Sequence, residues 1–190
     1  MNAHILTPQR NRRQPSVSTS PGLCRGFALL SGGLMLMAML WSAPGTAAVT
    51  LAELKADPNL TPDRLMKHFA NFKYELARET RPPETFLAQE AGDCDDFATL
   101  AADLLRERGY TPKLVAVFLP NEVHVVCYVP ETRSYLDYNC RNRASPLVRC
   151  GSELTAIAAQ VARSFHTQWR SASEFTVKDG AKYFVSTAFR

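Results

Sequence analysis

The stretch GDCDDFATLAADLLRERG, Gly92 to Gly109, decides how the chain folds. Phe97, Leu100, Ala101, Leu104 and Leu105 recur at helical spacing and offer one apolar face to a core. Asp93, Asp95 and Asp96 crowd the start and Arg106 and Arg108 the end, each sign complementing the helix dipole. Gly109 supplies the left-handed residue that stops the helix. Cys94 falls in the first turn, where orphan backbone N–H groups and the positive end of the dipole favour a thiolate. A nucleophile so placed needs a base, and the base needs a group to orient it.

After Gly109 the apolar period changes from helix to strand. Lys113 to Leu119 (KLVAVFL) reads as an inner strand and Val123 to Val129 (VHVVCYV) as a second. Pro130 to Arg133 form a turn, and Ser134 to Tyr138 (SYLDY) a third strand. Alternation puts His124, Val126 and Tyr128 on one face and Val125, Cys127 and Val129 on the other, so Cys127 does not share a site with His124. A four-residue turn pairs Val129 with Ser134 and Val126 with Asp137, which sets Asp137 diagonal to His124 on the same face. A turn with an odd number of residues would point Asp137 away.

A histidine in an apolar strand is most often a satisfied core residue, whereas an aspartate in a strand is disfavoured and needs a reason. Placed to meet, downstream of a cysteine at a helix start, they read as a nucleophilic site. Cys94 attacks an acyl carbon, and His124 takes the thiol proton and returns it to the leaving group. Asp137 holds the imidazole tautomer and supports its charged form. The backbone N–H of Cys94 or a neighbour is the natural oxyanion donor.

The flanking chain completes an α+β pattern. Residues 49 to 60 read as a short helix and turn. Thr61-Pro62-Asp63 opens a helix with the stripe Leu65, Phe69, Phe72 and Leu76, ending before Arg81-Pro82-Pro83. A loop then runs through Phe86 and Leu87 to Gly92. Beyond Tyr138, a polar, Arg-rich loop reaches Cys150. A helix from Ser152 and Glu153 to about Trp169 follows, then a hairpin from Glu174 to Phe189 around Asp179-Gly180. His68 has no partner by spacing, and His166 suits a helix C-terminus.

Residues 1–48 read as a secretory signal peptide. Arg10, Arg12, Arg13 and Arg25 precede an apolar run from Phe27 to Trp41, and Thr46-Ala47-Ala48 suits cleavage after Ala48. The apolar run is short of the roughly 20 residues a spanning helix needs, which disfavours a membrane anchor. The expected product is exported, periplasmic or secreted, as one domain over 49–190 with no membrane attachment after cleavage. That part carries 18 basic and 18 acidic residues, so its formal net charge is zero and nothing in it argues for nucleic acid. Four cysteines remain. In an oxidising compartment Cys140 and Cys150 are the expected disulfide, with Cys94 and Cys127 free. A Cys94–Cys127 bridge would instead remove the nucleophile.

The elements G-D-C-D-D-F-A, V-H-V and Y-L-D, in that order over about residues 82–138, resemble the transglutaminase-like superfamily of thiol enzymes. They look most like its bacterial exported cysteine-peptidase-like branch. The resemblance implies a papain/transglutaminase-like core, with the nucleophile at a helix N-terminus packed on an antiparallel sheet and Cys94, His124 and Asp137 as the triad. Members cleave peptides, hydrolyse amides or transfer glutamine acyl groups to amines, so the fold does not select the reaction. A chain this small has little room for a second substrate domain, and a peptidase- or amidase-type hydrolase of protein or peptide substrates is the expectation. A protein-glutamine transglutaminase and a non-catalytic envelope binding module are the alternatives. The resemblance also raises calcium at Asp93 and Asp95; helix capping accounts for both acids without an ion, and no cofactor is required.

Overall fold

In a computed structural model of the chain, residues 48–190 are described; the leader assigned to residues 1–48 lies, apart from its last residue, outside them. Two short helices open this region, α1 (Leu51–Ala56) and α2 (Pro62–His68). Thr50 and Thr61 cap them through their hydroxyls, and Pro62 begins α2 as its fixed φ allows. The helix expected to run on to Leu76 stops at His68. Phe69 and Phe72 are buried all the same, but from turns rather than from a helical stripe, and Leu76 is 76 % exposed. What ends α2 is a tertiary pairing: β1 (Lys73–Tyr74) lies parallel to β2 (Ala91–Gly92), Lys73 opposite Ala91 and Tyr74 opposite Gly92.

The segment expected as a loop before Gly92 contains a further helix, α3 (Pro83–Gln89), which buries Phe86 and Leu87. Pro83 at its first position and Glu84 in its first turn are ordinary start signals. Next comes α4 (Cys94–Glu107), the helix anticipated from its apolar spacing. Its buried face is that of Phe97, Leu100, Ala101, Leu104 and Leu105, and Gly109 follows at φ 82°.

Six strands form one antiparallel sheet in the order β6-β5-β4-β3-β7-β8. They are β3 (Lys113–Phe118), β4 (Val123–Val129), β5 (Ser134–Leu136), β6 (Leu147–Arg149), β7 (Ser171–Lys178) and β8 (Ala181–Phe189). The C-terminal hairpin β7–β8 docks on β3 and so widens the sheet, and β6 pairs with β5 inside the stretch expected as a polar loop. On one face α4 packs with Val125, Cys127, Val129 and Leu136. On the other, α5 (Leu154–Ser164) covers Val115, Val117, Val126, Tyr128 and Tyr135. The α+β class and the helix-on-antiparallel-sheet core are as anticipated.

The expected Cys140–Cys150 disulfide does not form: both thiols are free, as are Cys94 and Cys127. Antiparallel pairing of β5 with β6 sets Ser134 against Arg149 and Leu136 against Leu147. Cys150 therefore sits past the Ser134 end of β5, where its N–H reaches Arg133 O, and Cys140 past the Leu136 end. From Arg133, beside Cys150, to Asp137, beyond which Cys140 lies, the chain advances four steps, about 13 Å, well beyond the Cα spacing of about 4.4–6.8 Å that a disulfide spans.

Gly92 is where the backbone comes closest to its surroundings. A Cβ there would lie 2.5 Å from Phe86 Cδ2 and 2.6 Å from Asp96 Oδ2. Gly92→Ala is expected to cost about 1–3 kcal/mol, the scale of an overpacked core position. Calorimetric melting checks this, and an unmoved midpoint would mean that the α3–α4 junction gives way freely.

Candidate active site

The site is assembled from the start of α4, the start of β4 and the end of β5. Asp93 caps α4. Its Oδ1 accepts from the N–H groups of Asp95 (2.9 Å) and Asp96 (3.3 Å), and its Oδ2 accepts from Ala77 N–H at 3.0 Å. Asp96 returns the bond, its Oδ2 accepting from Asp93 N–H at 3.1 Å in a reciprocal capping box. Asp96 is also clamped by Arg81, whose backbone N–H donates to Oδ1 at 2.6 Å and whose Nη1 donates to Oδ2 at 2.8 Å. Arg81 in turn pairs with Glu75 at 2.6 Å. Burial raises the Asp93 pKa, the Ala77 N–H opposes this, and the neighbouring Asp96 charge adds to the rise. Asp95 faces outward and bonds Lys182 of β8 at 2.7 Å.

This geometry fixes Cys94 at the first helical position, only 6 % exposed. The turn from β4 to β5 has the four residues its reading required, a 3-10 turn over Pro130–Thr132 closed by Arg133 at φ 49°, and Val129 pairs with Ser134. Asp137 accordingly falls on the His124 side, and His124 Nε2 donates to Asp137 Oδ1 at 2.9 Å. The same Oδ1 accepts from Asn139 N–H at 2.9 Å, so Asp137 also caps the 3-10 turn Tyr138–Cys140 that ends β5 early. Both side chains are buried, and Phe165 at the end of α5 packs on the imidazole with ring centroids 4.8 Å apart.

Burial alone would lower the His124 pKa. Hydrogen bonds and charge from Asp137 and Cys94 outweigh it and push the imidazole up to about 10. Nε2 is taken by Asp137, which leaves Nδ1 for the Cys94 side.

By pleat, His124 belongs to the sheet face that α5 covers, while Cys94 belongs to the core beneath α4. They meet because β5 is short. It pairs only with Cys127 to Val129, so the β5 side of His124 has no strand beside it and stays open to the α4 side.

Burial pushes Cys127 up to about 12 and Cys140 and Cys150 up to about 11, which keeps all three protonated at neutral pH. Tyr74, absent from the sequence reading, stands beside the nucleophile. Burial first, then the nearby Cys94 and Asp93, push its phenol up to about 12. Nothing local marks Tyr74, because only the pairing of β1 with β2 carries it there. A cleft of about 620 Å³ opens alongside, walled by Arg78, Arg81, Asp93, Asp95, Val177 and Lys182. It reaches the residues on either side of Cys94 but not Cys94 itself.

Asp93 and Asp95, the acids raised for calcium, are engaged by protein donors in this arrangement. Both oxygens of Asp93 accept backbone N–H groups, Asp95 holds Lys182, and among the described residues no three His, Cys, Asp or Glu converge on one point. Calcium needs about six to eight oxygens.

Residues 47–139 match the family model described as the transglutaminase-like superfamily. That segment is of the transglutaminase-like superfamily. The match takes in Cys94, His124 and Asp137 and stops before β6, α5 and the β7–β8 hairpin. Among solved structures, the chain is similar to calcium-bound LapG of Legionella pneumophila, at 16 % identity and TM-score 0.42 over 65 % of this chain and 66 % of that one. It is also similar to a candidate cysteine protease of Cytophaga hutchinsonii, at 19 % identity and TM-score 0.31 over 68 % of this chain and 42 % of that one. This chain thus spans just under two thirds of the first and well under half of the second. No curated protein matches the sequence.

The raised pKa of His124 has a sign that can be measured. An imidazole lifted from 6.5 to about 10 contributes stability that is fully present below pH 6.5 and is lost as pH climbs through 10. The difference in urea-unfolding free energy between wild type and His124→Ala is therefore expected to shrink from pH 6.5 to pH 10. A difference that stays level or grows would contradict the charge pairing.

Proposed function

We propose that the chain is a thiol-dependent acyl-transfer enzyme, a cysteine peptidase- or amidase-type hydrolase with Cys94 as nucleophile, His124 as base and Asp137 as the group that orients it. The observation that carries this is the buried 2.9 Å bond from His124 Nε2 to Asp137 Oδ1, with Cys94 near enough to the same imidazole to help raise its pKa. Membership of a superfamily of thiol enzymes supports it. In this reading the Cys94 thiol proton is held at His124 Nδ1, as the raised imidazole pKa favours, and the sulfur adds to an amide carbonyl carbon. The backbone N–H of Cys94, free at the first helical position, faces the developing oxyanion. The amine then leaves with the proton from His124, and water, activated by the same imidazole, releases the acid and regenerates the thiol.

The mouth is suited to polypeptide. The cleft carries charges of both signs, and the exposed β7–β8 hairpin forms one wall. Of its acids, Asp95 is paired with Lys182 across the mouth. Export through the 1–48 leader, to the periplasm or beyond, belongs to the same proposal. Among the described residues no helix is long and apolar enough to cross a membrane.

Iodoacetamide labelling of the unreduced, folded protein, read by mass spectrometry, tests the assignment without a known substrate. Cys94 is expected to react at pH 6–7 ahead of Cys127, Cys140 and Cys150. His124→Ala is expected to slow it by about 100-fold, the lower end of what a positioned base contributes. Equal reactivity with and without the imidazole would end the enzymatic reading. Incorporation of a labelled primary amine into a glutamine-containing protein, in place of hydrolysis, would turn it toward transamidation.

A further inference from the structure

Three buried side-chain polar atoms among the described residues have no hydrogen-bond partner: Thr99 Oγ1, Tyr135 Oη and Asp137 Oδ2. Thr99 lies within α4, away from the other two in the chain. Tyr135 and Asp137 are neighbours. Asp137 follows β5 directly and is still extended at φ −128° and ψ 120°, so two residues on from Tyr135 its side chain leaves the backbone on the same face, and both residues are at most 1 % exposed. Asp137 is the charged group that acts most on the Tyr135 phenol, whose pKa is raised chiefly by burial and then by that carboxylate. One atom is a hydroxyl that can donate. The other is a carboxylate oxygen that can only accept while ionised.

Unpaired buried atoms of this kind are costly and rare, and the remedy proteins use is a trapped water with two or more polar partners. Asp137 has put both of its protein donors, His124 Nε2–H and Asn139 N–H, on Oδ1. Its Oδ2 is a buried acceptor left without a donor, on the face of the sheet that carries Val126, Tyr128 and Tyr135. We propose that Tyr135 is a positioning residue of the active site, its hydroxyl bridged by one bound water to Asp137 Oδ2. In that role it stops the carboxylate from turning about its own axis and keeps Oδ1 aimed at His124. The inference rests on the Cys94, His124, Asp137 reading and adds a fourth member that touches neither substrate nor the reacting atoms.

The titratable groups around this relay are few. Cys140, Cys150 and Arg143 face Tyr135 besides Asp137, and Cys94 and Asp137 face His124. Cys140 is the competitor, because its thiol lies close enough to Asp137 to act as a weak donor. Tyr128 stands directly opposite Tyr135 on β4 and is equally buried, but its hydroxyl is not among the unpaired atoms. It serves as the control.

The test is the pH profile of Cys94 alkylation in wild type, Tyr135→Phe, Tyr128→Phe and Cys140→Ala, each checked for an intact melt. A carboxylate without its second anchor supports the imidazolium less well, so the imidazolium gives up its proton at a lower pH than in wild type. Tyr135→Phe is expected to move the upper limb of the Cys94 rate profile down by about one pH unit, a tenfold change, the low end for one hydrogen bond to a charged group. It should change the rate much less at pH 5, and Tyr128→Phe should leave the profile in place. A Tyr135→Phe profile lying on that of wild type overturns the proposal, and so does a shift produced by Cys140→Ala alone. Should Tyr135→Phe not fold, a high-resolution crystal structure of wild type decides: one water bonded to both atoms supports the bridge, and two atoms with no shared water overturn it. Cys94 reactivity indifferent to His124→Ala would instead remove the triad itself, so the two failures are distinguishable.

Discussion

The carboxylate of Asp96 is the constraint on which the site depends. Its side chain is fully buried and accepts three donors: Asp93 N–H, Arg81 N–H and Arg81 Nη1. These bonds do three jobs at once. They start α4 one residue before the cysteine and tie the 75–81 segment to that start. They also place a guanidinium where it offsets two buried acids. A pair this dry is expensive to form, and losing either partner leaves an uncompensated charge of about 3–5 kcal/mol. Asp93 complements Asp96, accepting the N–H groups of Ala77, Asp95 and Asp96. Gly92 is squeezed between Phe86 and the Asp96 carboxylate, so the chain enters the helix along one path.

Much of this was legible before any coordinates. The helix from Cys94 onward, the strand that holds His124, and a four-residue turn that sends Asp137 to its side are all consequences of period and parity. Parity is a strict rule. One more residue between Val129 and Ser134 would have put Asp137 under α4, away from the imidazole. The acids beside Cys94 were readable as caps, and Asp93 and Asp96 are caps. The leader and its export stand on sequence alone, since they lie outside the described residues.

What stayed hidden was tertiary in origin. β1 and β2 are two residues each, too short to carry a period, yet their pairing truncates α2 and delivers Tyr74 to the nucleophile. The apolar spacing of Leu65, Phe69 and Phe72 was real, but it served burial from successive turns instead of one longer helix. The Cys140–Cys150 pair looked plausible from loop length alone. Strand register decided otherwise, because β6 runs back along β5 and carries Cys150 to the far end. Sequence separation says little about distance once a strand intervenes.

The sheet itself explains why an imidazole from one face can serve a sulfur from the other. In a complete sheet, the ladder on both sides of His124 would be a wall of backbone. Here Asp137 trades its place in that ladder for a capping role, donating nothing to β4 and ending β5 with the Tyr138–Cys140 turn. The residue that orients the base thus also opens the gap through which the base is reached. Tyr138, released by that turn, stacks on Phe97 of α4 with ring centroids 5.5 Å apart and donates its hydroxyl to Lys73 O at 2.8 Å. The turn is thereby pinned to the helix that bears Cys94 and to the strand that bears Tyr74. Coupling of this kind makes the site an all-or-none feature. Shifting Asp137 out of its cap would close the ladder, free Tyr138 and loosen β1 together. Phe165 then has a clear part, sealing the α5 side of the imidazole so that its charge is answered by Asp137 and Cys94 instead of by water.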